Sequence, residues 1–361
     1  MNILLLNIAT SGWGGIESYA DVLASILLNK GHNVIVSSRS DKPMVLKSTG
    51  AIIKTSRIRI RNSADVVAIF KIIKLCFSRD VDLIIAHHGK DFWPATLAAG
   101  ISRRRIMIIR HQTAKLKKTT CWLINRWVDK VVGVSNAVRD SLLKSGVSGD
   151  KILVLHNCIS LKRFNPDGID SSEIRAGLGI SESDVVLGAV GKLHRGKGVY
   201  DLLYAFSSLA EKYPSLRLLF VGAGPERSNL ESEAERLFVR DRVIFTGVRT
   251  DVESMYAAID LFVLPSRCAE GFGMVLIEAM ALKKPVIGNA IGAIPEIISH
   301  GVNGILVPPG DVKALSEAIA GYFENRELFR NIALAGRKTA EAKFSDKVYG
   351  EKFEDLLSTL K

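Results

Sequence analysis

The chain has 361 residues, 47% of them hydrophobic and 24% charged, with a formal net charge of +12. This is ordinary globular composition at a length that suggests two domains, and no apolar run reaches the roughly 18 residues that a membrane span needs. Four cysteines without paired or zinc-type spacing (Cys76, Cys121, Cys158, Cys268) are expected as reduced thiols in a cytosolic protein, not as a disulfide framework.

The charge is unevenly spread. Residues 1–165 hold 26 Lys+Arg against 10 Asp+Glu, and the remainder 23 against 27. A basic half joined to a slightly acidic one points to an anionic partner for the first: nucleic acid, an anionic membrane face or a phosphorylated substrate.

In chain order, 2-NILLLNI reads as a first buried strand and not as a signal peptide, having neither basic region nor cleavage site. A glycine-rich turn, 10-TSGWGG, leads into the helical pattern 17-ESYADVLASILLNKG, closed by Gly31. Strand patterns follow at 33-NVIVSS, 51-AIIKT, 82-DLIIAH, 105-RIMIIR, 130-KVVGVS and 151-KILVLHN. The polar stretch 160-SLKRFNPDGIDSS marks a domain boundary. Beyond it the strands are 185-VVLGAVG, 217-RLLFVG, 242-RVIFTG, 260-DLFVLPS, 285-PVIGN and 305-ILVPP, and charged amphipathic helices run from about 311 onward. Continuous apolar strands separated by helices mean parallel sheets covered on both faces. The fold expected is α/β, with two doubly wound Rossmann-like lobes facing a central cleft: 1–165, 166–343, and a last helix, 344–361, crossing back to the first lobe.

Ligands of such sheets bind beyond the carboxyl ends of the strands. The loops there include 7-NIATSGWGGIES, 86-AHHGKDF, 110-RHQTAK, 191-GKLHRGKG, 222-GAGPE, 247-GVRTD and 264-LPSRCAEGFG. In 191-GKLHRGKG, Lys192, His194, Arg195 and Lys197 stand before a helix N-terminus, an arrangement suited to phosphate. It is not a GxxxxGK[ST] loop. The first turn lacks GxGxxG, and no acidic residue closes the second strand, which argues against a dinucleotide. In 270-EGFGMVLIEAM-280, Glu270 and Glu278 flank a turn whose N–H groups suit a phosphate or a sugar hydroxyl. A carboxylate accepts only, so it orients sugar hydroxyls well. Glu278 sits among apolar residues and is expected to be buried with a partner.

These residues carry a resemblance. EGFGMVLIEAMA, followed by 284-KPVIGNAIGAIPEII and 301-GVNGILVPPGD, resembles the EX7E region of retaining glycosyltransferases of family 4, which have the GT-B fold. The blocks 247-GVRTDVESMYAAIDLFVLPS, 221-VGAGPE, 191-GKLHRGKG and 14-GGIE resemble the family in order and spacing. The resemblance implies a nucleotide-sugar donor on the C-terminal lobe and an acceptor on the N-terminal one. Glu278 would bind the donor ribose. Glu270 and the backbone of Phe272, Gly273 and Met274 would hold the donor sugar. Lys197, with Lys192 beside it, would neutralise the diphosphate. Gly15 would approach it from the other lobe, and Val248 and Arg249 would lie near the base. His87 would serve the reaction centre, with His88 as the alternative. In the front-face retaining process the leaving phosphate helps deprotonate the acceptor, and cations and N–H groups stabilise the developing charge.

Two departures stand out: Lys192 replaces the family's usual arginine and lacks its forked geometry, and 157-NCIS replaces its Asn-Gly-x-Asp. Asp80 and Asp82 precede a strand instead of following one and read as a loop. No cofactor and no metal are expected, with a UDP-sugar the favoured substrate. The acceptor expected is a glycan or lipid-linked species of lipopolysaccharide or another envelope polysaccharide. The basic residues around 57-RIRIR, 103-RRR and 115-KLKK, with Trp122 and Trp127 nearby, suit contact of a cytoplasmic enzyme with the inner membrane face, or else the tryptophans pack in the core. The rival readings are a nucleotide-sugar epimerase or hydrolase of the same fold, and a basic nucleic-acid- or membrane-binding protein. No nucleic-acid motif is present, and that last reading leaves Glu270 and Glu278 unexplained.

Overall fold

The computed structural model describes residues 1–9, 14–38 and 44–360. Part of the glycine-rich first turn, Thr10 to Trp13, and the loop from Arg39 to Pro43 lie outside the described residues. The chain divides into two compact units, Met1–Lys162 with Phe344–Lys361, and Arg163–Lys343.

The first unit runs β1 (Asn2–Ala9), α1 (Gly15–Asn29), β2 (Asn33–Ser38), β3 (Met44–Val45), β4 (Ile52–Arg57), α2 (Val66–Ser78), β5 (Leu83–Ala86), α3 (Phe92–Ser102), β6 (Arg105–Arg110), α4 (Lys118–Trp127), β7 (Lys130–Gly133), α5 (Asn136–Ser145) and β8 (Ile152–Val154). Among the described residues its sheet has eight strands in the order β3-β4-β2-β1-β5-β6-β7-β8. All neighbours are parallel except β3 and β4, an antiparallel pair at the edge that the sequence pattern did not suggest. Two residues are too few to show a period, so β3 leaves no hydrophobic signature.

The second unit runs α6 (Ser171–Gly177), β9 (Val185–Val190), α7 (Val199–Ala210), β10 (Leu216–Val221), α8 (Arg227–Arg236), β11 (Val243–Gly247), α9 (Val252–Ala258), β12 (Leu261–Leu264), α10 (Met274–Ala281), β13 (Val286–Asn289), α11 (Ile294–Ile297), β14 (Ile305–Val307), α12 (Val312–Glu324) and α13 (Arg326–Phe344), the last ending at the unit boundary. Its strands lie in the order β11-β10-β9-β12-β13-β14, all parallel. The chain then returns to the first unit as α14 (Asp346–Ser358).

Both sheets are buried on both faces, which is why their strands read as apolar runs. Leu187, Leu218, Phe220, Leu261, Val263 and Ile287 of the second sheet form one core with Phe206 of α7 and Ile319 of α12. In the first unit Ile3 to Leu6 and Leu83 to Ala86 are fully buried. Helix α1 stops where expected: Gly31 has φ +81° and His32 N–H bonds back to Leu27 C=O.

In each sheet the strand order reverses once, between β1 and β5 and between β9 and β12. That reversal opens the crevice where ligands of doubly wound sheets bind. Right-handed crossovers put α3 and α4 on the opposite face of the first sheet from α1. Accordingly α2 packs on α3 and α3 on α4, while α14 packs on α1.

Candidate functional site

The switch point of the second unit joins two of the loops singled out above. After β9 the chain turns at Gly191, makes one 3₁₀ turn at Arg195–Lys197, and starts α7 at Val199. After β12 the next loop runs from Pro265 to Gly273 and opens α10 at Met274. The two loops lie flush because of one glycine. Gly198 has φ +66°, and a β-carbon there would sit 1.7 Å from Pro265 O. Backbone bonds from Arg267 and Cys268 N–H to Gly196 C=O hold the approach.

Across it Lys197 Nζ donates to Glu270 Oε1 at 2.7 Å. Ser266 Oγ donates to the same oxygen, and Asn289 Nδ2 holds the Ser266 carbonyl at 3.0 Å. Lys192 and Lys197 line one small cleft with Val190, Leu264 and Pro265. Lys192, Lys197 and Glu270 are therefore brought to one place.

The second glutamate has its own support. Glu278 is 7% exposed on α10. Tyr256 of α9, itself fully buried, donates its hydroxyl to Glu278 Oε2 at 2.8 Å and lies 3.2 Å from Val275 O. Burial pushes the Glu278 carboxyl above its ordinary range, while the Tyr256 hydroxyl and the positive charge of Arg163 pull it back. Arg163 is itself held by Glu253 at 2.7 Å. Gly273 has φ +107° at the N-cap of α10, and Phe272 and Met274 beside it are buried, so these three offer backbone and not side chain. Val248 is exposed after β11, and Arg249 forks onto Asp251 at 2.9 and 2.6 Å. Arg249 is thus held by Asp251, while Glu270 and Glu278 are held by other partners.

In the first unit Gly15 opens α1. His87, at the end of β5, is 2% exposed and packs inward. Its Nδ1 lies 3.4 Å from Nε2 of His111, which follows β6, and the Tyr19 ring meets both imidazoles edge-on. Burial and the neighbouring His88 push His87 down to about 3, and burial with His87, His88 and Arg110 holds His111 well below its ordinary range. Both rings are neutral at physiological pH. Tyr19 in turn shares a hydrogen bond with Tyr349 of α14.

Four participants carried no sequence signal strong enough to single them out: His111, Tyr256, Ser266 and Arg163. Tyr256 lies 22 residues before its partner and Ser266 is one serine in a loop, so neither pairing shows in local spacing. His111 did lie in a carboxyl-end loop, where the sheet-edge rule pointed without choosing.

Residues 13–163 match the model of "Glycosyltransferase Family 4" and residues 170–339 that of "Glycosyl transferases group 1". The chain belongs to the family 4 glycosyltransferases.

Relatives agree with this. The glycosyltransferase is 33% identical over 187 residues to N-acetyl-alpha-D-glucosaminyl L-malate synthase of Bacillus anthracis, an alignment covering 52% of this chain and 49% of the relative. It thus matches about half the length of that relative. It is 29% identical over 314 residues to the capsular polysaccharide biosynthesis glycosyltransferase CapM of Staphylococcus aureus, covering 82% and 81%. Its fold matches the crystal structure of Anabaena HepE in complex with UDP-glucose at a TM-score of 0.86 and 24% identity, over 99% of this chain and all of the other. The fold is GT-B. No helix among the described residues of the glycosyltransferase is long and apolar enough to cross a membrane.

Proposed function

We propose that this glycosyltransferase transfers a hexosyl group, with retention of configuration, from a nucleoside-diphosphate sugar to a glycan or lipid-linked acceptor of an envelope polysaccharide. The observation that carries the reading is the Lys197–Glu270 pair at the switch point of the second sheet. A cation suited to a diphosphate and a carboxylate suited to sugar hydroxyls thus stand on one pair of loops, which supports the reading. Lys197 and Lys192 take the diphosphate, and Glu270 with the backbone of Phe272, Gly273 and Met274 takes the sugar. Glu278, oriented by Tyr256, takes the ribose diol, and Val248 and Arg249 border the base. As the sugar–phosphate bond breaks, charge grows on the leaving diphosphate, and fixed cations beside it lower the barrier. No metal is assigned to this step. The likeness to HepE, whose structure is described with UDP-glucose, supports a UDP-sugar, and CapM supports a polysaccharide acceptor.

His87 is the first candidate on the acceptor side, and its contact with His111 makes the imidazole pair the unit to test. A cytoplasmic enzyme serving a lipid-linked acceptor would meet the membrane through its basic first unit. No nucleic-acid partner is assigned.

The test is a melting-temperature panel of UDP-, GDP- and ADP-sugars with and without magnesium. A ligand that binds only the folded state raises its melting temperature. One responding base, independent of magnesium, is the expected result. No response from any donor would count against the donor site. Product analysis then separates transfer from epimerisation or hydrolysis.

A further inference from the structure

The face of the first sheet opposite α1 carries apolar surface that the catalytic reading leaves unused. On α2 the side chains of Ala68, Ile72 and Cys76 go inward, while Phe70 (68% exposed) and Phe77 (62%) point out with Val66 and Val67. Helix α3 adds exposed Ile101, and α4 adds Trp122 (57%) and Trp127, whose rings meet edge-on with centroids 5.1 Å apart. An exposed aromatic or two is normal for a folded surface. A run of them across three packed helices marks an interaction site.

The charges around them have one sign. None of α2, α3 and α4 contains an Asp or Glu. Lys71, Lys74, Arg103, Lys117, Lys118 and Arg126 are exposed on these helices and their flanks. Of the bordering carboxylates, Asp91 is fully buried, Asp82 accepts from Asn2 N–H at 2.7 Å, and three pair with an arginine: Asp65 with Arg61 at 3.0 Å, Asp80 with Arg104 at 3.3 Å, and Asp129 with Arg105 at 3.1 Å. Phe77 lies under the Arg104 guanidinium, 5.9 Å from ring centroid to Cζ.

We propose that the α2–α3–α4 face docks this protein on an anionic lipid bilayer, with Phe70, Phe77 and Trp122 entering the interface and the lysines and arginines above them meeting lipid headgroups. Aromatic rings prefer the headgroup level, and long cationic side chains reach phosphate while their stems stay in apolar surroundings. A protein partner of matching acidity offers the charge but not a continuous apolar plane, and a nucleic acid has no use for Phe70 and Phe77, which point outward on a helix that carries no base-reading motif. The inference rests on the membrane contact proposed above and names its surface. It stands apart from the donor chemistry of the second unit.

The test is co-sedimentation of the full chain with vesicles of phosphatidylcholine alone and with added phosphatidylglycerol, at low and high salt. Binding is expected only with the anionic lipid, falling as salt rises. The variant Phe70→Ser/Phe77→Ser is expected to lose at least about tenfold in partition, and Lys71→Glu/Lys74→Glu at least about fivefold for each lysine. All four side chains are exposed, so the melting temperature and the shift given by a UDP-sugar should match those of the unaltered chain. Equal binding to neutral and anionic vesicles, or unchanged binding by the Phe70→Ser/Phe77→Ser variant, would overturn the proposal. So would a dimer in sedimentation velocity that this variant dissociates, which would give the face to a second copy. Duplex DNA or RNA bound as tightly as the vesicles, and lost in the same variants, would give it to nucleic acid.

Discussion

Lys197 and Glu270 lie 73 residues apart in the chain and 2.7 Å apart in space, each on the loop that leaves one of the two strands flanking the switch point. In the structure the lysine's partner is the glutamate. On the proposed assignment, a diphosphate entering the site would compete with Glu270 for the ammonium, and the released carboxylate would become available to a sugar hydroxyl. Glu270→Gln should therefore leave UDP affinity unchanged or tighter while lowering turnover about 100-fold. Lys197→Met should weaken UDP about tenfold or more. Calorimetric titration with UDP, beside initial-rate kinetics, checks the pair. If Glu270→Gln weakens UDP as much as Lys197→Met does, the exchange is wrong.

Burial raises the Glu278 pKa, and the Tyr256 hydroxyl that holds the carboxylate opposes that rise. Its removal in Tyr256→Phe withdraws a bond that lowers the Glu278 pKa, so that pKa, already raised by burial, climbs further. With Glu278 on the ribose diol, as proposed, only the carboxylate form accepts both hydroxyls, so donor affinity should be lost as pH falls through the Glu278 pKa. In the Tyr256→Phe variant this loss should begin at higher pH. The readout is the KM for the donor as a function of pH, with kcat changing less. Superimposable profiles would detach Tyr256 from the donor.

The neutral imidazoles of the first unit make a prediction about acid. Both His87 and His111 have folded-state values depressed below that of the unfolded chain. Below about pH 6.5 the unfolded state binds protons that the folded state refuses, so stability is whole above that pH and declines as pH falls toward the folded values. Each histidine adds a slope of up to about 1.4 kcal/mol per pH unit in that window. His87→Gln should flatten the decline of melting temperature between pH 6.5 and 4. A decline as steep as before would mean that the ring titrates freely.

His87→Ala should also lower turnover with little change in the affinity for UDP, because the donor's nucleotide is assigned to the other unit. Rates with His111→Ala beside it show which imidazole matters. Full activity in both variants removes the pair from the reaction.

Gly198→Ala tests the seating of the two loops proposed to hold the donor. The added methyl meets the Pro265 carbonyl, and the backbone stands at φ +66°. A loss of about 3 kcal/mol or more is expected, or a local shift that abolishes donor binding. Chemical denaturation and the UDP melting shift separate the two. A variant as stable and as responsive as the parent would show that the loops do not need this contact.

Much of the fold could be read from the strands. Runs such as 217-RLLFVG and 105-RIMIIR are continuously apolar between their ends because helices cover both faces, and that pattern belongs to buried parallel strands. The two-residue strand Met44–Val45 was invisible because its pairing with β4 is decided by neighbours and not by its own residues. At the candidate site, the loops could be located because ligand loops follow strand ends, and glycines and cations collect there. What escaped was the support behind them. Tyr256 reads as one more apolar position in a short helix, and its bond to Glu278 exists only once α9 and α10 pack. The exposure of Trp122 and Trp127 was likewise undecidable from a ten-residue helix, too short for its apolar spacing to settle one face. In the folded first unit they face outward.

The last helix has a consequence for how the protein is made. Helix α14 completes the first unit: Glu354 holds His32 at 2.8 Å, Tyr349 bonds Tyr19, and the Ile159 C=O accepts from Asp346 N–H. Yet all of the second unit is translated between β8 and α14. A ribosome therefore releases the second unit with every one of its elements already synthesised, while the first still waits for its closing piece with part of α1 uncovered. Of the two units, the one begun first is the one finished last.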